Sequence, residues 1–268
     1  MGDDMDLQLQ QQHILITGGS KGIGLACAAA FLPEGARVTL VSRSADNLAQ
    51  GAATLQQQGA PSDRLFIVAA NLRDAVEAER ALAAAEQHFG PVDVLVNSAG
   101  AAKRTPPNEL TAAAWHDAME AKYFTYIHMM DPVVKRMGAR GRGVIVNVIG
   151  QGGKVASPIH MPGGAANAAL MLATAGMAAA YGPQGVRVTA VNPGLTLTDR
   201  LQEGLVAEAR ASGISPEEAL ARASSKLPLG RIARPEEIAD TVVYLASPRA
   251  SYVTGATLAM DGAVTPLI

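Results

Sequence analysis

The sequence predicts an α/β fold: a doubly wound three-layer sandwich around a parallel seven-stranded sheet, in a single domain. Three features predict it. Short apolar runs of strand length recur along the chain, stretches of helical periodicity separate them, and no linker-like or low-complexity segment divides the 268 residues. The runs are almost continuously apolar, as strands covered on both faces must be. Their alternation with helices through short connections implies right-handed βαβ units.

The strands are expected at 13–17 (HILIT), 36–42 (ARVTLVS), 64–70 (RLFIVAA), 92–97 (VDVLVN), 143–149 (GVIVNVI), 186–192 (VRVTAVN) and 256–260 (ATLAM). The helices are expected at 22–32, 44–58, 74–89, 109–137, 163–181 and 235–246. Residues 1–12, polar and acidic, read as a flexible tail ahead of a domain spanning 13–268. The stretch 195–232 reads as a helical insertion between two strands, long and polar enough for a mobile lid.

A formal charge of −2 gives no reason to expect nucleic acid or a membrane as partner. The lone cysteine, Cys27, leaves no intrachain disulfide and points to a reducing, cytoplasmic setting. The apolar stretch "MLATAGMAAAYG" reads as too short to span a bilayer before Gly and Pro interrupt it. Five scattered histidines and one cysteine offer no pair at ligand spacing, so no metal is expected. The G-x-S-x-G pattern of a serine-hydrolase elbow occurs only inside the glycine-rich turn at 18–22.

Where the first strand meets the first helix stands "TGGSKGIG", residues 17–24, with Gly18, Gly22 and Gly24 in a T-G-x-x-x-G-x-G pattern. Glycines there allow a tight turn, let backbone amides approach a pyrophosphate, and bring the helix close to the sheet. An NAD site places a carboxylate at the end of the second strand to hold the ribose 2′-hydroxyl. Here Ser42 stands in that place and Arg43 follows, with Lys21 in the first turn. Two cations without a carboxylate suit a 2′-phosphate and hence NADP(H). The other reading leaves Lys21 and Arg43 as solvated surface charges.

Six segments in order, "TGGSKGIG", "NSAG" (97–100), "GVIVNVI", "VNPG" (191–194), "RPEEIAD" (234–240) and "GATLAMDG" (255–262), make the chain resemble the short-chain dehydrogenase/reductase (SDR) family, classical type, over nearly its whole length. The resemblance implies a Rossmann fold, a bound NAD(P), a small-molecule substrate and a homotetramer or homodimer. It places Gly18, Ser20, Gly22, Ile23 and Gly24 around the pyrophosphate, and Asn71 and Leu72 beside the adenine. It sets Asn97, Ala99 and Gly100 at the adenosine ribose, and Pro193, Gly194, Thr196 and Thr198 toward the nicotinamide and diphosphate.

The same resemblance implies an Asn-Ser-Tyr-Lys tetrad, and there the chain departs from it. The Asn position falls at Lys122, seven residues after Trp115, and the Ser position at Gly150. Thirteen residues on, the Tyr position is Gly163, and four later the Lys position is Asn167. Such departures look like a divergent bacterial branch of the family. Two candidates could replace the lost proton donor. Lys122 would return a positive charge to the site while Asn167 keeps a ribose-binding amide; otherwise Lys122 snorkels on a solvated helix face. His160 lies just ahead of Pro162, in the loop entering the next helix, and titrates near neutrality; otherwise it is an ordinary loop histidine. Lys154, Tyr123 and His128 are weaker candidates. The expected activity is an NADP(H)-dependent oxidoreductase reducing a small carbonyl, or oxidising an alcohol, with a non-standard proton donor. The alternatives are a catalytically silent NADP-binding protein, acting as sensor or assembly partner, and a non-redox enzyme with a structural cofactor.

Overall fold

The computed structural model describes residues 5–100 and 103–265. Its seven strands are β1 (His13–Thr17), β2 (Arg37–Ser42), β3 (Leu65–Ala69), β4 (Val94–Asn97), β5 (Gly143–Val148), β6 (Val186–Pro193) and β7 (Thr257–Met260). They form one parallel sheet in the order β3-β2-β1-β4-β5-β6-β7. The winding reverses between β1 and β4, the switch point outside which doubly wound sheets bind ligands. Every strand begins and ends within two residues of its expected place.

Alternation along the strands sorts the two cores. Ile14, Ile16, Val38 and Leu40 face α1 (Gly22–Phe31), α2 (Ala45–Gln57) and α9 (Pro235–Ala246). Leu15, Val41, Leu95 and Ile145 face α3 (Ala75–Phe89), α5 (Thr125–Arg140) and α6 (Met161–Tyr181). Each such side chain contributes roughly 1.5–3 kcal/mol on burial, so the period-two pattern fixes which face each strand turns to which helices. Side-chain oxygens start several helices: Ser44 accepts from Asn47 N at 3.2 Å and Asp74 from Val76 N at 2.7 Å.

Three expectations need correction. The described part of residues 1–12 is no loose tail. Leu9 is buried with the α1 and α9 core, Gln11 N donates to Gly35 O at 2.9 Å, and the Arg37 guanidinium donates to Gln11 O at 2.7 Å. Leu9, with Leu7 packed beside it on the same core, docks the segment. The stretch Met161–Gln184 is, by length and composition, apolar enough to cross a membrane, contrary to its reading as too short. In this fold it is a layer helix, with Ala166, Leu170, Thr174 and Ala178 buried along one face of α6.

The helix expected over 109–137 is also not continuous. It divides into α4 (Ala112–Ala118) and α5, joined by a π-helical turn, Met119–Phe124. The Thr125 hydroxyl donates to Lys122 O at 2.8 Å, filling a carbonyl in the widened turn. Gly100 presses on the same turn: a Cβ there would lie 2.5 Å from Ala121 O. Hydrophobic periodicity hides such a one-residue widening.

The 195–232 insertion contains two helices, α7 (Asp199–Ser212) and α8 (Pro216–Ser225), packed through Leu205, Ala209 and Ala219. Its two ends meet, with Leu197 N donating to Ala233 O at 2.8 Å. Just beyond, Glu237 accepts from Arg231 and from Arg234 N, and these contacts hold its carboxyl down at about 2.

His13 sits fully buried in β1, between Gly90 O at 2.7 Å and Thr39 Oγ1 at 2.9 Å. Burial lowers its pKa from the ordinary value, only partly opposed by the Gly90 carbonyl. The folded state therefore binds fewer protons at this site than the unfolded chain. Stability is fully present above the unfolded value of about 6.5 and declines as pH falls from there toward the folded pKa. Urea unfolding between pH 8 and 5 should show this decline, and His13→Gln should flatten it. An unchanged slope in the variant would remove His13 as its source.

Candidate active site

A buried polar ladder crosses the carboxyl ends of the central strands. Thr17, Asn97 and Asn147 occupy the same level on β1, β4 and β5. The Thr17 hydroxyl donates to Asn97 Oδ1 (3.1 Å), Asn97 Nδ2 to Asn147 Oδ1 (3.0 Å), and Asn147 Nδ2 to Thr174 Oγ1 of α6 (3.0 Å). Ser98 N and Ala99 N both donate back to Thr17 Oγ1. Asn97 thus spends its side chain inside the ladder, and what it sets at the edge is the backbone of Ala99 and Gly100.

The Gly-rich turn fits a dinucleotide. Gly18 has φ +66°, and a Cβ on it would lie 2.7 Å from Ser98 O; one on Gly24 would lie 2.3 Å from Gly18 O. Only glycines permit β1, α1 and the 97–100 segment to come this close. Gly22 faces Thr198, which caps α7 through Leu201 N, so the base of the insertion stands over the turn. Ser20 and Ser42 share a hydroxyl–hydroxyl bond of 3.1 Å, which sets the end of β2 against the turn. Lys21 and Arg43, each next in sequence to one of these serines, are exposed, and Ile23 is half-buried. Asn71 is exposed after β3, its N–H donating to Glu77, while Leu72 buries its side chain among α3 and α5. Pro193 ends β6, with Gly194, Thr196 and Thr198 following at the same edge.

The four positions that the resemblance assigns to the tetrad also converge. Lys122 is only 8% exposed, so it does not snorkel into solvent. Its Nζ donates to Tyr126 OH at 3.0 Å and to Val148 O at 3.3 Å, two residues before Gly150. Tyr126 is fully buried, donates a short hydrogen bond to the same carbonyl, and is kept protonated by burial. Gly150 has φ +123° and ψ 147°, a region essentially reserved for glycine, where a serine would carry roughly 1–3 kcal/mol of strain. Gly163 lies buried in the first turn of α6, and Asn167 one turn on, its Oδ1 buried without a hydrogen bond. A Cβ on Gly150 would stand 3.4 Å from Asn167 Nδ2.

His160 immediately precedes α6, and its ring lies against Gly152. Burial first, then the charges of Arg104 and Lys122, lower its pKa from the ordinary value, so near neutrality it is an uncharged imidazole. Its Nδ1 is buried without a hydrogen bond. Tyr123 packs on Phe124, and His128 reaches Leu72 O at 3.0 Å, so neither stands with this group. Lys154 lines a small cleft with Gln151 and Asp261. A cleft of about 450 Å³ opens at the opposite, amino edge of the sheet, between Asp93, Arg142 and Arg187, away from these groups.

Two residues of the site escaped sequence reasoning. Tyr126 stands four residues after Lys122, a spacing that brings side chains together on a helix. Arg104 sits in the loop after "NSAG", where Thr105 N donates to Ile159 O at 2.9 Å and ties that loop to the one carrying His160.

Sheet order, glycine turn and edge residues define a dinucleotide-binding α/β protein. Residues 18–265 match the family model described as Enoyl-(Acyl carrier protein) reductase. The chain is 37% identical over 263 residues to 2-(S)-hydroxypropyl-CoM dehydrogenase 3 of Xanthobacter autotrophicus, covering 98% of this chain and 100% of that one. It is also 37% identical over 261 residues to A-factor type gamma-butyrolactone 1'-reductase (1S-forming) of Streptomyces virginiae, covering 97% of each. The crystal structure of L-sorbose reductase from Gluconobacter frateurii, complexed with NADPH and L-sorbose, superposes with a TM-score of 0.92 at 28% identity, over 98% of this chain and 100% of that one. The chain belongs to the short-chain dehydrogenase/reductase family and is an SDR-type oxidoreductase.

The ladder makes a direct prediction. Asn147→Ala strands the Asn97 amide in a dry interior and should lower unfolding free energy by about 1–3 kcal/mol. In a double-mutant cycle with Asn97→Ala, the two losses should fail to add by at least about 0.5 kcal/mol. Strict additivity in urea unfolding would show that the two amides do not act through each other.

Proposed function

We propose that the protein is an NADP(H)-dependent oxidoreductase that interconverts a small carbonyl and its alcohol without the family's tetrad, using Lys122 as proton donor. The observation that carries this reading is the Lys122 Nζ, buried at the end of β5 and held by Tyr126 and the Val148 carbonyl. Gly18, Ser20, Gly22, Ile23 and Gly24 would hold the pyrophosphate, and Lys21 and Arg43, beside Ser42, the 2′-phosphate. Asn71 and Leu72 would border the adenine, and Ala99 and Gly100 its ribose. Pro193, Gly194, Thr196 and Thr198 would face the nicotinamide end, where Asn167 offers its unpartnered Oδ1 to a hydroxyl.

The bound nicotinamide supplies or accepts the hydride. Lys122 gives a proton to the carbonyl oxygen in reduction and regains it from solvent, and takes one from the hydroxyl in oxidation. His160, uncharged near neutrality, serves as a hydrogen-bonding group rather than the acid. The 195–232 insertion, whose Thr198 stands over the glycine turn, closes the pocket. The working form is a homotetramer or homodimer in the cytoplasm.

One observation favours the rival reading, a silent NADP-binding protein serving as sensor or assembly partner. The 151–153 turn lies backbone to backbone on α6: a Cβ on Gly153 would stand 2.7 Å from Ala168 N, and one on Gly164 2.7 Å from Gly152 O. The loop thus occupies room beside the helix. NADPH binding, followed by NADPH oxidation over a panel of carbonyl compounds, separates the two readings; binding with no turnover selects the silent protein.

With turnover in hand, Lys122→Ala should lower kcat/KM by about 10²–10⁴, while His160→Ala lowers it less. A full rate in Lys122→Ala removes Lys122 as proton donor. In calorimetry, Arg43→Asp should weaken NADPH by about ten- to a hundredfold and move the preference toward NADH. An unchanged NADPH/NADH ratio would count against the 2′-phosphate assignment.

A further inference from the structure

The phosphate-binding groups and the reacting end of the site lie on different strands. The glycine turn and Arg43 follow β1 and β2, whereas Lys122, His160 and Arg104 gather beyond β4, at β5 and the start of α6. The hydrogen bond from Thr105 N to Ile159 O sets the Arg104 loop alongside His160. The His160 ring lies 3.3 Å from the Cβ position of Gly152, and the Asn167 amide 3.5 Å from that same point. Lys122 reaches the site through Val148 O, just before the turn that carries these glycines.

We infer that this group of residues selects a substrate bearing an anionic group, an oxo acid or the matching hydroxy acid, whose carboxylate is held by Arg104 and His160 while its carbonyl or hydroxyl meets Lys122. The inference rests on the proposed oxidoreductase reading and adds the substrate class to it.

Two further observations support it. The charged side chains that act on His160 are both cations, Arg104 and Lys122, so the field around the imidazole is positive. Such a field attracts an anion and repels a cation. His160 Nδ1 is also buried without a hydrogen bond, although buried polar atoms nearly always have one. A carboxylate beside Arg104 would supply that acceptor once the proton sits on Nδ1. Lys154 is left out of the anion site because it shares its cleft with Asp261.

The test uses the purified full chain with saturating NADP⁺. Calorimetric titrations compare 2-oxobutanoate, 3-oxopentanoate and 4-oxopentanoate with their uncharged amides, and NADPH affinity is measured alongside. At least one acid should bind about ten- to a hundredfold more tightly than its amide, and the margin should shrink as salt rises. Arg104→Gln should reduce that preference to within about threefold, the loss of one charge-assisted contact. If NADPH binds but no acid is preferred over its amide, the inference fails alone and the oxidoreductase reading stands. An acid preference undiminished in both Arg104→Gln and His160→Gln also overturns it, since the anion is then held elsewhere. Failure of the wild-type chain to bind NADPH removes both.

Discussion

Thr17, Asn97, Asn147 and Thr174 form a dry chain of hydrogen bonds across three strands and a helix, and much of the site takes its position from it. Each group in it has left water, so each must keep its partner. The chain therefore locks the carboxyl ends of β1, β4 and β5 to one level and draws α6 against them. The glycine turn follows Thr17, the 97–100 segment follows Asn97, and the Val148 carbonyl that holds Lys122 follows Asn147. Hydrophobic burial alone could not set these ends so closely, because it has no direction.

At this edge a glycine turn that fits a dinucleotide stands with the turn that follows Gly150. The cradle depends on the absence of side chains at Gly18 and Gly24, which lets three backbones meet. The turn after β5 depends on it too, but differently. Gly150 takes a backbone conformation that a serine would occupy only under strain, and the turn after it rests directly on α6. Lys122 comes to the same place from the π-turn, through the Val148 carbonyl.

Most of the architecture is legible in the sequence because it depends on local regularities. Seven apolar runs separated by helical periodicity leave few arrangements other than a doubly wound sheet, and strand bounds shift by at most two residues. The exceptions have particular causes. Leu9 and Leu7 dock a segment whose polarity reads as a tail. One widened turn splits a helix whose hydrophobic pattern runs on unbroken. In the site, the cradle residues follow from motif and position, because glycine is the residue such a turn requires. Tyr126 and Arg104 do not, since each matters through a neighbour supplied by another element.

The amino-acid sequence by itself determined the fold class, the family and the glycine turn after the first strand, because each rests on residue type at a given spacing. Tertiary structure alone decided that Lys122 is buried and clasped by Tyr126, and that Asn97 faces inward. It also decided that the loop after β4 is tied to the one carrying His160. Burial, hydrogen-bond partners and local charge depend on which distant segments meet, and no spacing along the chain encodes those meetings.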